Sequence, residues 1–260
     1  MRCSGGSSLA AGPINVMRGE HTSHGLQLDR LMELTNDATP VITGTAEVGA
    51  TVSVTVAGKT YTVTASDGTW SVDTGAASGT GTSTFTANGS NAVSVTATDA
   101  AGNESAAATQ TLVVDTTLPT VAITDNQEGT ANGQIIYTFT FSESVSGFTA
   151  DDVTVGNGTK GLFTQVSASV YQLEVTPDAG EAGDVTVDVA GAVAVDGAGN
   201  SNSAATQSVQ AFDTLAPNAP VVSALASVTN DATPTITVTA EAGSTVKVYA
   251  NGVLIGTAVE

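Results

Sequence analysis

The chain has 260 residues, and its 25 acidic side chains outnumber 6 Lys and Arg, for a formal net charge of −19. That balance excludes nucleic-acid binding, which draws its affinity from Lys and Arg; the single Cys3 excludes a disulfide scaffold, and there is no apolar run long enough to insert in a membrane as a helix. Apolar residues make up 41% of the chain, much of it Val in alternation, so a buried core is expected rather than disorder, and the weight of Thr and Val points to sheet.

Residues 1–34 read as an atypical, disordered leader. Met17, His21, His24, Leu28 and Leu31 suggest a loose helical face, but Gly5, Gly6, Gly12, Pro13, Gly19 and Gly25 interrupt it. Ser7 to Ile14 is too short and too polar for a signal peptide. His21 and His24 have no further His or Cys to complete a metal site, so they read as solvent-exposed. Arg2, Arg18 and Arg30 cancel Glu20, Asp29 and Glu33, which leaves the whole negative charge on residues 35–260. The only bases there are Lys59, Lys160 and Lys247. Such a surface repels itself and attracts divalent cations.

From residue 35 the alternation has a period of two. Strands are expected at Val41–Ala46, Thr51–Ala57, Thr60–Ala65, Thr69–Val72, Ser83–Ala87, Ala92–Thr98 and Thr109–Asp115. Turn signals part them at Ala57-Gly58-Lys59, Asp67-Gly68, Asn88-Gly89 and Asp99–Asn103. Seven strands around Trp70 fit an all-β, Ig-like sandwich. A second set follows, with Ile135, Tyr137, Phe139 and Phe141 on one strand, then Val153 with Val155, Val170 to Val175 and Val185 to Val189. The Tyr and Trp side chains are expected in the cores.

Internal repetition sets the boundaries. Thr35-Asn-Asp-Ala-Thr-Pro40 returns as Thr229-Asn-Asp-Ala-Thr-Pro234, each followed by Thr-Ala-Glu and Gly. Asp99-Ala-Ala-Gly-Asn103 with Asp115-Thr-Thr-Leu-Pro119 returns as Asp196-Gly-Ala-Gly-Asn200 with Asp213-Thr-Leu-Ala-Pro217. The expected organisation is a leader (1–34), two tandem Ig-like domains (35–119 and 120–217) and the opening of a truncated third (218–260), as if the sequence were a piece of something longer.

These motifs, with Gly44-Thr-Ala, Asp67-Gly-Thr-Trp-Ser71, Phe139-Thr-Phe-Ser-Glu143 and Gly147-Phe-Thr-Ala-Asp-Asp-Val153, resemble the bacterial Ig-like repeats of very large surface adhesins of the RTX and biofilm-associated kinds. The resemblance covers residues 35–260. It implies extender modules of a secreted, cell-surface protein, exported by type I secretion, often stiffened by calcium between domains and touching chiefly the neighbouring repeats of the same chain, here as a monomer. The Gly-Gly-x-Gly-x-Asp nonapeptides that some such proteins carry are absent.

Enzyme chemistry finds little support. With both His and the Cys in the leader, Ser–His and Cys–His nucleophiles lack a member in the repeats. Asp151-Asp152 would be a poor glycosidase pair in a small repeated sandwich. Calcium fits better, being a hard ion that takes 6–8 oxygens. If the first strand of the second domain runs from its N-terminal pole, the Asp196–Asn200 loop and the turn at Glu143 both return to that pole. Asp115 arrives there from the domain before. Asp115, Glu143, Asp196 and Asn200, with Asp151 or Asp152, are therefore expected to form a calcium site, and Asp213 with Asp231 a poorer one at the next junction. Carboxylates so placed would repel without a cation; the alternative is that they are solvated loop acids. Only Pro119 restricts the linker Thr116–Pro119, so without calcium the domains are expected to pivot. The expected function is a spacer in a bacterial adhesin; the rival is a carbohydrate-binding or accessory module of a secreted polysaccharide-degrading enzyme.

Overall fold

Alternating Val and Thr give each strand one buried face, and the turns between strands decide which become neighbours. The computed structural model describes residues 26–29, 34–75, 78–224, 230, 232–233 and 235–259. Among them no helix is long and apolar enough to cross a membrane. The fold is all-β, with tandem Ig-like sandwiches.

The first sandwich contains β1 (Gln27–Leu28), β2 (Val41–Thr45), β3 (Thr51–Val56), β4 (Lys59–Thr64), β5 (Thr69–Asp73), β6 (Gly89–Thr98) and β7 (Ala108–Val114). A three-stranded sheet β1-β2-β5 faces a four-stranded sheet β4-β3-β6-β7. The inward residues of both sheets, among them Ile42, Val52, Val54, Trp70, Val95 and Leu112, make one buried cluster. Gly44 lies where β1, β2 and the indole of Trp70 come closest, and a methyl group there would run into the Gln27 carbonyl and the Trp70 ring.

Two expectations fail in this sandwich. The leader is not wholly outside the fold: Gln27 and Leu28 pair with Thr45 and Gly44, Leu26 and Leu28 pack against the core, and Gln110 donates to the Asp29 carbonyl at 3.1 Å. A sheet of only β2 and β5 would leave apolar surface bare, and two alternating Leu suffice to cover it. The strand expected at Ser83–Ala87 does not form. The outer edge of β4 is bonded instead by Thr80, whose N–H and carbonyl both pair with Thr60 at 2.7 Å. Local groups meanwhile satisfy the 83–87 backbone: Phe85 N–H donates to Ser83 Oγ at 3.2 Å and Thr86 N–H to Asn91 Oδ1 at 2.8 Å. Ser and Asn side chains that serve nearby amides compete with a ladder.

The second sandwich contains β8 (Val121–Asp125), β9 (Ile135–Phe141), β10 (Val153–Gly156), β11 (Gly158–Gln165), β12 (Val170–Pro177), β13 (Ala182–Val189) and β14 (Ser208–Asp213). Here the four-stranded sheet is β11-β12-β9-β8 and the three-stranded one β10-β13-β14. Its core is separate and more aromatic, with Tyr137, Phe139, Phe141, Phe148 and Tyr171 buried among Val and Leu.

The third strand thus sits in different sheets in the two sandwiches, β3 in the four-stranded one and β10 in the three-stranded one. β3 and β4 are joined by Ala57 and Gly58, both at positive φ (44° and 84°), with Val56 opposite Lys59. A two-residue turn of that kind closes a hairpin and holds both strands in one sheet. Between β10 and β11 stands only Asn157, at φ 58°, flanked by glycines. That bend turns the chain from one sheet across to the other, as strand corners in sandwiches do.

The remaining strands are β15 (Val221–Val222), β16 (Val238–Thr239), β17 (Thr245–Ala250) and β18 (Val253–Val259). They form two separate pairs, β15-β16 and β17-β18. β17 and β18 repeat β3 and β4 about the Asn251-Gly252 turn. Ile255, the counterpart of buried Tyr61, is 58% exposed, and no strand corresponding to β6 lies against β17 among the described residues.

Candidate metal centre

The junction between the two sandwiches begins where β7 ends. Asp115 N–H donates to the Thr35 carbonyl at 2.9 Å, and Asp115 Oδ1 accepts from Thr117 N–H at 2.9 Å. Thr116 is held by Asn88, whose Oδ1 accepts from its N–H at 2.7 Å and its hydroxyl at 2.9 Å. Beyond the linker, Thr120 N–H donates to Ser142 Oγ at 3.0 Å and Ser142 N–H donates to the Thr120 carbonyl at 2.9 Å. That pair fixes the turn that carries Glu143. The expectation that Pro119 alone restricts the linker is therefore corrected: side chains and amides of both sandwiches hold it.

The loop after β13 brings Asp196. Its Oδ1 accepts from the N–H groups of Ala198 and Asn200, both at 2.8 Å, and its Oδ2 from Asn200 Nδ2 at 2.8 Å. Gly199 stands at φ 93° within this five-residue ring, a conformation glycine adopts at no steric cost. The first sandwich builds the same ring: Asp99 Oδ1 accepts from Ala101 and Asn103 N–H at 2.9 and 2.8 Å, its Oδ2 from Asn103 Nδ2 at 2.8 Å, with Gly102 at φ 91°. The bonds from Asn103 hold the exposed Asp99 carboxyl below the usual carboxylate range.

Ligand atoms of Asp115, Glu143 and Asp196 all lie within 4.8 Å of one another. Asp196 is 7% exposed and Asn200 8%. Burial, then the charges of Asp196 and Asp115, push the Glu143 carboxyl above its ordinary range. The donors are all oxygens, with no His or Cys, which suits calcium or magnesium rather than zinc. Asp115, Glu143 and Asp196 would hold such an ion. Asn200, expected among the ligands, turns its Nδ2 to Asp196 and to the Asp115 carbonyl, a bond the sequence did not suggest.

The other expected residues do not join this group. Asp151 and Asp152 lie in a single 3-10 turn, Ala150–Asp152. Asp152 Oδ2 is engaged by Thr149 through its N–H and its hydroxyl, both at 2.8 Å, so it caps its own turn. Asp213 repeats Asp115 locally: its N–H donates to the Ala131 carbonyl at 2.8 Å and its Oδ1 accepts from Leu215 N–H at 3.0 Å. It is exposed, and it belongs to no three-carboxylate group among the described residues. Asp231, like Cys3, His21 and His24, lies outside the described residues.

The raised Glu143 carboxyl predicts a pH effect with a definite sign. A carboxyl raised on assembly favours its neutral form, so its contribution is full below the ordinary Glu value of about 4.3 and is lost as pH rises through the raised one. In chelator, the junction is therefore expected to be more ordered at about pH 4 than at pH 7. Glu143→Gln, which is neutral throughout, should give the ordered junction at both. Equal small-angle scattering responses to pH in the parent and in Glu143→Gln would contradict this.

Two family models, each described as a bacterial Ig-like domain, match the chain in tandem, one at residues 29–116 and one at residues 115–212. The first begins inside the leader expected to lie outside the fold, and the two meet at Asp115. No curated protein matches the chain. Among solved structures, the fibronectin(III)-like modules of CbhA from Clostridium thermocellum are 14% identical at a TM-score of 0.31, covering 72% of this chain and 93% of theirs. The chitinase ChiA74 from Bacillus thuringiensis is 13% identical at a TM-score of 0.24, with 78% of this chain and 30% of that one covered. Two sandwiches that share a repeated Asp-x-x-Gly-Asn loop, matched end to end by these models, make this chain a member of the bacterial Ig-like domain family, with two such domains in tandem.

Proposed function

We propose that the chain is a run of spacer modules of a secreted bacterial surface adhesin, with no catalytic role, whose junctions calcium makes rigid. The observation that carries this reading is the meeting of Asp115, from the end of one domain, with Glu143 and Asp196, from two loops of the next. A cation there ties consecutive modules together without touching either core. Strands of about seven residues at roughly 3.3 Å each give modules a few nanometres long. Many in series would carry a distal binding domain beyond the cell-surface polysaccharide.

The second reading is a carbohydrate-binding or accessory module of a polysaccharide-degrading enzyme. Sugar platforms need exposed aromatic rings. Here Trp70, Tyr61, Tyr137 and Tyr171 are buried, Phe85 and Phe163 are half-buried, and Tyr249 is the exposed ring, at 58%. Panning the whole chain against cellulose, chitin and soluble glycans is expected to retain none of it. Retention that a Tyr249→Ala change abolishes would favour the accessory-module reading instead.

A further inference from the structure

We infer that Asn200 and Ser203 form a clamp on the linker that holds the two domains together without any cation, with Asn200 as its positioning residue. This deepens the junction reading and rests on it only for the role given to calcium. The Asp-x-x-Gly-Asn loop occurs twice, once in each domain. In the first domain Asn103 closes its ring through Asp99 Oδ2 at 2.8 Å while remaining exposed. In the second, Asn200 closes the same ring at 2.8 Å, and its Nδ2 also donates to the backbone carbonyl of Asp115 at 2.7 Å.

Three residues further on, Ser203 N–H donates to the Pro119 carbonyl at 2.9 Å. One short stretch of the second domain thus grips the linker at both ends, Asp115 and Pro119. Packing supports the grip: a methyl on Gly197 would stand 3.4 Å from Leu34 Cδ2, and one on Gly199 3.6 Å from Asn36 Nδ2. This is the face on which the first domain covers the loop, and it explains why Asn200 is 8% exposed where Asn103 is open.

The clamp and the ion act on different atoms of one residue. The cation would take the Asp115 carboxylate; Asn200 takes its carbonyl, which no substitution at residue 115 other than a change of backbone removes. Asp115→Ala should therefore abolish cation binding and leave the clamp, and Asn200→Ala should do the reverse in part. The clamp fixes where the linker enters, while the three unbridged carboxylates push against it from the Glu143 side. Calcium then tightens a junction that is already seated.

The test uses the whole chain in chelator and in millimolar calcium, read by small-angle scattering and by NMR relaxation of the two domains. In chelator, the domains of Asn200→Ala and the near-isosteric Asn200→Asp are expected to tumble more independently than those of the parent, in which the clamp limits the pivoting that calcium then removes. Calcium should partly restore shared tumbling in Asn200→Ala, and Asn103→Ala should match the parent in both conditions. A role confined to the loop would lower the stability of the second domain and leave its tumbling with the first unchanged. In the unmutated chain a through-hydrogen-bond coupling between Asn200 Nδ2 and the Asp115 carbonyl carbon is expected, whether or not the variants fold. The clamp is refuted if parent and Asn200 variants superimpose in chelator, if Asn103→Ala loosens the junction equally, or if that coupling is absent. A parent that ignores calcium would refute the cation reading alone.

Discussion

Phe148→Ala is expected to lower the stability of the second sandwich by about 3–5 kcal/mol and to leave the first unchanged. Phe148 comes from the loop between β9 and the 3-10 turn, yet it is 5% exposed. Its ring meets four others edge-on, at centroid distances of 5.5 Å to Phe139, 5.1 Å to Phe141, 5.7 Å to Phe163 and 5.2 Å to Tyr171. Truncation opens a cavity that strand residues on either side are too well packed to fill. For a domain of this size each kcal/mol moves the midpoint by roughly 4–8 °C, so a fall of roughly 12–40 °C is expected. The buried clusters of the two sandwiches share no residue. Calorimetry of the full chain should therefore show one transition moving and one staying. If both move together, the domains unfold as a unit and the separation of cores means less than it suggests.

Alternation and repeats made the all-β class, the tandem sandwiches and the buried Tyr and Trp legible before any coordinates. What stayed illegible was decided by partners rather than by pattern. Ser83–Ala87 alternates as well as its neighbours do, but Thr80 already occupies the edge it would have joined. Leu26 and Leu28 sit in a Gly- and His-rich stretch, and two apolar residues are too few to announce a strand. Whether the chain crosses from one sheet to the other between the third and fourth strands hangs on whether one residue or two separate them.

Site prediction followed the same division. Counting strands put Asp115, Glu143 and Asp196 at one pole, and the structure brings those three together. The count says nothing of side-chain direction, so it could not foresee that Asp152 turns back to cap Thr149. Nor could it foresee that Asn200 spends its amide on a carbonyl of the preceding domain. The repeat held one usable hint: Asn103 and Asn200 occupy identical rings, and only the second has a domain end beside it.

The calcium response is the other large effect expected, and it tests the central claim most directly. Without an ion, three carboxylates within 4.8 Å of one another oppose the close approach of the domains; burial first, and the charges of Asp196 and Asp115 second, raise the Glu143 carboxyl. With one, the repulsion becomes a bridge from the end of β7 to two loops of the second domain. Extracellular calcium modules bind at about 10⁻⁴ to 10⁻³ M, so millimolar calcium should fill the site. Asp115→Ala is the cleanest probe, because Asp196 also closes its own loop through three hydrogen bonds, and its loss would disturb more than a ligand. The measurement is small-angle scattering of the parent and of Asp115→Ala, each in millimolar calcium and in chelator. The account predicts a longer, narrower distance distribution for the parent in calcium, a shorter and broader one in chelator, and no difference between the two for Asp115→Ala. Superimposable parent profiles in calcium and in chelator, or an Asp115→Ala response equal to the parent's, would contradict it.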